Sequence, residues 1–164
     1  MAGLTAERLR ELLDYNPETG HFLWRKPPRH KVINGPAGSH WGRYVNIGIS
    51  RQIYGAHRLA WLYVYGEWPA VHIDHIDGNG HNNRIANLRL ATRSDNLCNS
   101  KRRKHNRTGF KGVFPKRKKF SAQIRKGTTR WCLGDFDTAE EAYRAYCEAA
   151  DRLHGEFANK GEVM

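Results

Sequence analysis

Apolar positions along this chain fall into short helical or alternating runs, separated by stretches that are almost wholly polar. Near the start, Leu9, Leu12 and Leu13 share one helical face, Thr5 is placed to cap that helix, and Leu4 and Leu9 stand at staple positions. Residues 20–25 and 43–49 are aromatic or β-branched runs between turn formers and predict strands, with 51–56 as a candidate third. Residues 57–65 suit a buried helix or strand; the spacing of Leu59, Leu62 and Tyr63 favours a helix, ended by Gly66 and Pro69. The stretch 74–83, DHIDGNGHNN, has almost no apolar residue and is dense in Gly, Asn and Asp, which tolerate left-handed backbone and form their own side-chain turns. Residues 87–91 can form a short strand, and Ser94 or Asp95 can open a helix that runs to about Lys104.

Beyond that helix the pattern changes. Residues 109–115, 119–125 and 130–136 predict three short strands, with a turn at Lys126-Gly127. Thr138 and Glu141 form a capping box for a helix that carries Ala142, Tyr146, Ala149 and Leu153 on one face and closes at Gly155. The chain therefore reads as α+β: a mixed first part, then a three-stranded antiparallel sheet with one helix packed across it.

Charge sharpens that division. The chain has 28 Lys and Arg against 16 Asp and Glu, a formal charge of +12, which points to a polyanionic partner, nucleic acid before an anionic membrane surface. From Lys101 to Arg130 there are 13 basic residues and no acid, whereas residues 131–164 hold three bases and eight acids. The run KRRKHNR at 101–107 contains no apolar residue and reads as a linker. The predicted organisation is a first domain at 1–100 with a β-rich N-terminal lobe, a basic linker at 101–107, and a second domain at 108–160. No apolar run approaches the ~18 residues needed to cross a bilayer, and the N-terminus lacks the apolar core of a secretory signal. Cys98, Cys132 and Cys147 are far apart, which excludes a disulfide framework or a cysteine zinc site and suits a reducing cytoplasm.

Asp74, His75, Asn87 and Asn96 are the candidates for chemistry. On a strand ending near His75, Asp74 and His75 point to opposite sides; on a helix from Ser94, Asn96 lies in the first turn. The Asp74 carboxylate and the Asn96 amide oxygen could hold one hard cation, with water and phosphate completing its shell, as Mg²⁺ prefers. His75 alone among the four can take a proton near neutral pH, and so could act as general base for an attacking water. The same residues also have a plain structural use, as turn formers and a packing histidine. On residue types alone both uses stay open. Asp77, Asn79, Asn82 and Asn83 read as turn residues, and His72 and His81 as surface or packing histidines. Arg84, Arg89 and Arg93 read equally as phosphate contacts or solvated side chains.

The stretch 57–99, with HRLAW, IDHIDGNGHNNRIANLRLAT and DNLCN, resembles the His-Asn-His (HNH) family of phage and intron-encoded homing endonucleases. The resemblance implies a ββα-metal fold with one divalent ion. Asp74 would be a metal ligand, His75 the general base, and Asn87 the residue that helps position that histidine. Asn96 would be the second ligand, at a position that is His in many members. An amide oxygen suits Mg²⁺ or Mn²⁺ and is a poor ligand for zinc. The setting implied is the cytoplasm of a bacterial host, with a phage among the candidate sources.

The tail, with GFKGVFPKRKKFSAQIR, LGDFDTAEEAYRAY and HGEFAN, resembles the plant ethylene-response-factor (APETALA-type) DNA-binding domain, whose sheet lies in the major groove. Basic strands and an acidic helix agree with that orientation. The candidate double-stranded-DNA contacts are Lys111, Lys116, Arg117, Lys118, Lys119, Arg125, Arg130 and Trp131, although Trp131 could equally be core. One Asp-His/Asn/Asn set without a repeat predicts a monomer that nicks one strand, with a symmetric dimer as the alternative. Two rival readings remain: a DNA-binding regulator that retains an inactive nuclease fold, and an RNA-binding accessory protein.

Overall fold

A computed structural model of the chain describes residues 3–27, 35–102 and 105–161. It divides into two compact units at Leu90/Ala91.

In the first unit, α1 (Ala6–Leu12) is capped by Thr5, whose hydroxyl accepts from the Arg8 amide at 3.2 Å. The helix ends one residue earlier than its leucines predict. Leu13 is extended and begins β1 (Leu13–Asn16), which pairs antiparallel with β2 (His21–Trp24). Leu9, Leu12 and Leu13 fit a helical face, but Leu13 and Tyr15 also fit a period of two, and burial beside Phe22 decides for the strand. The connecting turn is an Asx turn: Asn16 Oδ1 accepts from the amides of Glu18 and Thr19, and Gly20 takes φ +74°. Next comes a three-stranded meander of β3 (Ser39–Trp41), β4 (Tyr44–Ile49) and β5 (Gln52–Gly55). β3 has no counterpart among the predicted strands, because all three of its residues are exposed and leave no alternation to read. Residues 56–65 are helical, α2 (Ala56–Tyr65), and Gly66 ends the helix at φ +80°. Leu9, Leu13, Phe22, Ile47, Leu59 and Leu62 form the fully buried core. β6 (His72–His75) pairs with β7 (Leu88–Ala91) in a separate two-stranded sheet.

The second unit begins with α3 (Arg93–Cys98), whose capping box is formed by Thr92 and Asp95. This helix stops at Cys98 instead of running to Lys104. The reason lies in the rest of the unit. Lys111 Nζ donates to the carbonyls of Cys98, Ser100 and Asn159, and Asn159 Nδ2 donates to the Asn99 carbonyl. Partners from distant sequence thus take up the terminal carbonyls that another turn of helix would otherwise have used. For the same reason the unit boundary falls before α3 and not at the basic run; Arg103 and Lys104 of the expected linker lie outside the described residues.

β8 (Val113–Lys116), β9 (Lys119–Lys126) and β10 (Thr129–Phe136) form an antiparallel sheet in the order β8-β9-β10, with a bulge between Cys132 and Gly134. α4 (Ala139–His154) opens on the Thr138/Glu141 capping box and buries Ala142, Tyr146, Ala149 and Ala150. Close packing there depends on Gly112: a Cβ would meet the Tyr146 ring at 2.1 Å. Among the described residues, no helix is long and apolar enough to cross a membrane.

Candidate active site

Strand β6 delivers two buried polar residues at its end, Asp74 and His75, 7% and 5% exposed. The loop after it is braced by its own side chains. Asp77 accepts from the Asn79 amide at 2.8 Å, from Asn82 Nδ2 at 2.8 Å and from Asn87 Nδ2 at 3.0 Å. Burial pushes the Asp77 carboxyl up, but those bonds outweigh it and hold the group below its ordinary value. Asn87 also donates to the Asn82 carbonyl at 2.8 Å and accepts from the Asp77 amide at 3.1 Å. Its side chain therefore ties both ends of the loop together.

The side chain that meets His75 is Asn83. His75 Nε2 lies 3.1 Å from Asn83 Oδ1, while Asn83 Nδ2 donates to the His81 carbonyl at 3.3 Å. The second bond turns the amide so that its oxygen faces the ring. That oxygen only accepts, so Nε2 carries the proton and Nδ1 keeps the lone pair. Burial lowers the His75 pKa from its ordinary 6.5, outweighing the opposing effects of Asn83 and of the Asp77 and Asp74 charges. A neutral imidazole with a fixed tautomer is what a general base needs at neutral pH.

Asn83 is itself anchored to the core. It is 2% exposed, and Tyr15 Oη donates to its carbonyl at 2.7 Å. At Gly20 a Cβ would lie 2.5 Å from the Asn83 carbonyl carbon and the Arg84 amide, so the β1–β2 turn must keep a glycine there. Asp74 is held from β7: Arg89 Nε and Nη2 both reach its Oδ2, at 2.9 and 2.8 Å, with the two side chains 15% and 9% exposed. A charge-assisted bond this buried fixes the carboxylate, and removing either partner would strand the other charge.

Behind His75, the rings of His57 and Tyr44 lie 5.3 and 5.9 Å away. His57 Nδ1 is buried and has no hydrogen-bond partner among the described residues, and burial, helped by the His75 and Arg58 charges, pushes its pKa down to about 4. An imidazole that is neutral in the fold but protonated when unfolded costs stability on acidification. Stability is expected to be full above about pH 6.5 and to fall as the pH drops toward 4. Urea melts at pH 7 and pH 5 should show a smaller pH-dependent loss in His57→Gln than in the parent chain. An equal loss in both would assign the acid sensitivity to another group.

Residues 54–106 match the HNH endonuclease family model.

The HNH segment takes in α2, β6 and β7 and continues past α3 into the second unit. The chain is 34% identical over 109 residues, 65% of its length and 57% of the relative's, to an uncharacterized HNH endonuclease of Acanthamoeba polyphaga mimivirus. It is 42% identical over 67 residues, 38% of its length and 55% of the relative's, to Protein 3.8 of Escherichia phage T7. The chain thus spans little more than half the length of these curated relatives. No solved structure matches it.

Of the four HNH candidates, Asp74 and His75 stand on β6 and Asn87 on the 3-10 turn just before β7, all in the first unit; Asn96 stands on α3 in the second. Three contributors escape sequence reasoning. Asn83 is hidden among four loop asparagines, Arg89 looks like any solvated arginine, and Tyr15 is 68 residues away from Asn83. The pattern that could have flagged Arg89 is its place on a strand opposite an acid-bearing strand.

Among the described residues no three His, Cys, Asp or Glu side chains come together as a metal-holding group. Mg²⁺ asks for only one or two carboxylates and keeps several waters, so a single buried Asp74 is compatible with it.

In the second unit, Ala122 and Ile124 of β9 face α4, so Gln123 and Arg125 face away from it. Arg130 is the cross-strand partner of Arg125, and Lys116 that of Lys119. Those four basic side chains lie on the sheet face opposite α4; Lys116 and Lys119 also pair with the exposed acids Asp135 and Asp137. Arg117, at φ +55°, and Lys118 form the exposed β8–β9 turn. Two candidates differ from expectation. Trp131 pairs with buried Ile124, which puts it on the α4 side of the sheet. Lys111 is held inward by its three carbonyls, and burial pushes its pKa down to about 8. A basic cleft of about 940 Å³ runs along this unit, with Lys101, Arg102, Arg107, Arg125 and Arg130 among its lining residues.

Proposed function

We propose that this protein is a metal-dependent endonuclease that hydrolyses phosphodiester bonds of double-stranded DNA, as a site-specific nicking enzyme of the homing kind. The observation that carries this reading is the Asn83–His75 pair: a buried imidazole whose ring is oriented by the Asn83 oxygen at Nε2, a neutral group suited to act as general base. Asp74 and Asn96 are the proposed ligands of one Mg²⁺ or Mn²⁺, which when bound would offset charge on the phosphate and the departing oxygen. Arg89 orients the Asp74 carboxylate, and Asn87 keeps the loop in the shape that brings Asn83 to His75.

The second unit, in this reading, binds the duplex through the basic face of its sheet, in the manner of the ethylene-response-factor domains it resembles. Lys116, Lys119, Arg125 and Arg130 share that face, and Arg117 and Lys118 extend it at the turn. Lys111 and Trp131 are more easily given structural roles.

Supercoiled plasmid incubated with the protein and Mg²⁺ is expected to become open circle before linear DNA appears, at a rate first order in protein, and to stay supercoiled in EDTA. Asp74→Ala should lose that activity, with partial recovery at higher metal. Equal cleavage in EDTA would exclude the metal-dependent nuclease. Immediate linear product together with a two-fold mass in sedimentation would replace the monomeric nickase by a dimer.

A further inference from the structure

The nuclease reading leaves the outer face of the β3–β4–β5 meander without a use. In β4, Ile47 and Ile49 are buried in the core, so Tyr44, Asn46 and Gly48 point to the opposite face. Cross-strand pairing sets Trp41 of β3 beside Tyr44, and Ile53 of β5 beside Gly48. All three large apolar side chains on this face are open to solvent: Trp41 is 71% exposed, Ile53 66% and Tyr44 42%. The same face leads to His75. A Cβ on Gly55, the partner of Asn46, would meet the His57 ring at 2.7 Å, so His57 lies over this face. The Tyr44 ring stands 5.1 Å from the His57 ring and 5.9 Å from the His75 ring. Trp41 is therefore one side chain beyond Tyr44 as seen from the candidate general base. We propose that Trp41, with Arg43 at the turn beside it, is a stacking platform that holds one unpaired nucleobase of the DNA next to the bond to be cut. The platform rests on the reading of the His75 site as DNA-cleaving and adds the state of the substrate that this site takes.

Charge favours DNA as the occupant. Residues 19–66 contain seven Lys or Arg and no Asp or Glu, so the chain that builds this face suits a polyanion. The hairpin tip is also held against the active-site loop. A Cβ on Gly80 would meet the Arg43 carbonyl at 2.0 Å and the Tyr44 ring at 2.8 Å. His81 Nε2 lies 3.4 Å from the Gly42 carbonyl, and the Nδ1 atoms of His40 and His81 share a hydrogen bond at 3.3 Å. Arg43 and Trp41 thus keep a set position relative to His75.

Ring chemistry selects the unpaired nucleobase. Phosphate offers an indole little, whereas every nucleobase has a π-face that an aromatic ring can stack on whatever the sequence. In an intact duplex those faces are covered by neighbouring bases. An indole at this tip therefore gains a partner only where the stack is opened. Apolar side chains that open a base step also kink the duplex, which here would place the kink at the His75 site.

The test uses the full chain in EDTA and two labelled DNAs: a fully paired duplex, and the same duplex with a single unpaired thymine. The parent chain is expected to bind the second about tenfold more tightly, within the range that one base–aromatic stack contributes. In Trp41→Ala that preference should vanish, and Trp41→Phe should keep part of it. Every residue of β3 is exposed, so neither change removes core. Leu23→Ala, at an equally open apolar position on β2, should keep the parent preference. With 2-aminopurine in place of the unpaired thymine, binding of the parent should quench its emission, and Trp41→Ala should not. The platform is overturned if the parent binds both DNAs alike, or if Trp41→Ala retains the preference and the quenching. None of these readouts requires cleavage, so the platform and the nuclease reading can fail separately.

Discussion

His75→Ala should reduce DNA nicking by about 10²–10⁴-fold, the range over which a positioned general base contributes, while duplex affinity stays nearly unchanged. The two effects separate in the proposed reading, in which the imidazole acts on water and the basic strands of the second unit hold the duplex. Asn83→Leu should reproduce part of the loss. Without the Oδ1 acceptor at 3.1 Å, the Nε2 proton loses the partner that favours that tautomer, although the ring itself remains. The pH profile separates chemistry from misfolding. Burial lowers the His75 pKa below 6.5, and activity needs the neutral ring, so the acidic limb of the parent enzyme should lie below that value. In Asn83→Leu the stabilising acceptor is gone and the limb should move further to acid. Full activity in His75→Ala would remove the general-base assignment. An unshifted limb in Asn83→Leu would reduce Asn83 to a packing role.

Replacing Lys116, Lys119, Arg125 and Arg130 together by alanine should flatten the salt dependence of duplex binding. Each neutralised phosphate contributes about −0.9 to the slope of log K against log salt, so four contacts would change it by about 3.6. The pairs Lys116–Asp135 and Lys119–Asp137 are largely exposed and contribute little to stability, so the fold should tolerate these changes. Trp131→Ala, on the opposite face, should leave the slope where it was. Fluorescence anisotropy of a labelled duplex across a salt series measures both. A four-fold variant with the parent slope would mean that DNA does not lie on this face.

Much of the architecture was legible along the chain because its signals are local. The Thr138/Glu141 capping box, the Gly66 helix end and the turn at Lys126-Gly127 each act within a few residues and stand where the pattern predicts them. β1 and β3 were not legible. Leu13 satisfies two periodicities at once, and β3 is exposed on every residue, so only pairing with β2 and β4 makes either segment a strand. The short α3 is a similar case: its length is set by Lys111 and Asn159, which cap it from 13 and 60 residues away.

The sequence by itself determined which residues could do chemistry: a titratable His75 beside Asp74, a loop too polar to be anything else, and a charge map that separates a basic sheet from an acidic helix. These follow from side-chain identity and near-neighbour spacing. Only the tertiary structure decided how those residues are set. It turned the His75 ring through Asn83, placed Arg89 on Asp74, and put Trp131 on the side of the sheet away from Arg125 and Arg130. It also brought His40 to His81. The physical reason is one of range. A proton's position, a carboxylate's partner and a side chain's face each depend on contacts between strands far apart in the chain, and no local pattern encodes which strands will meet.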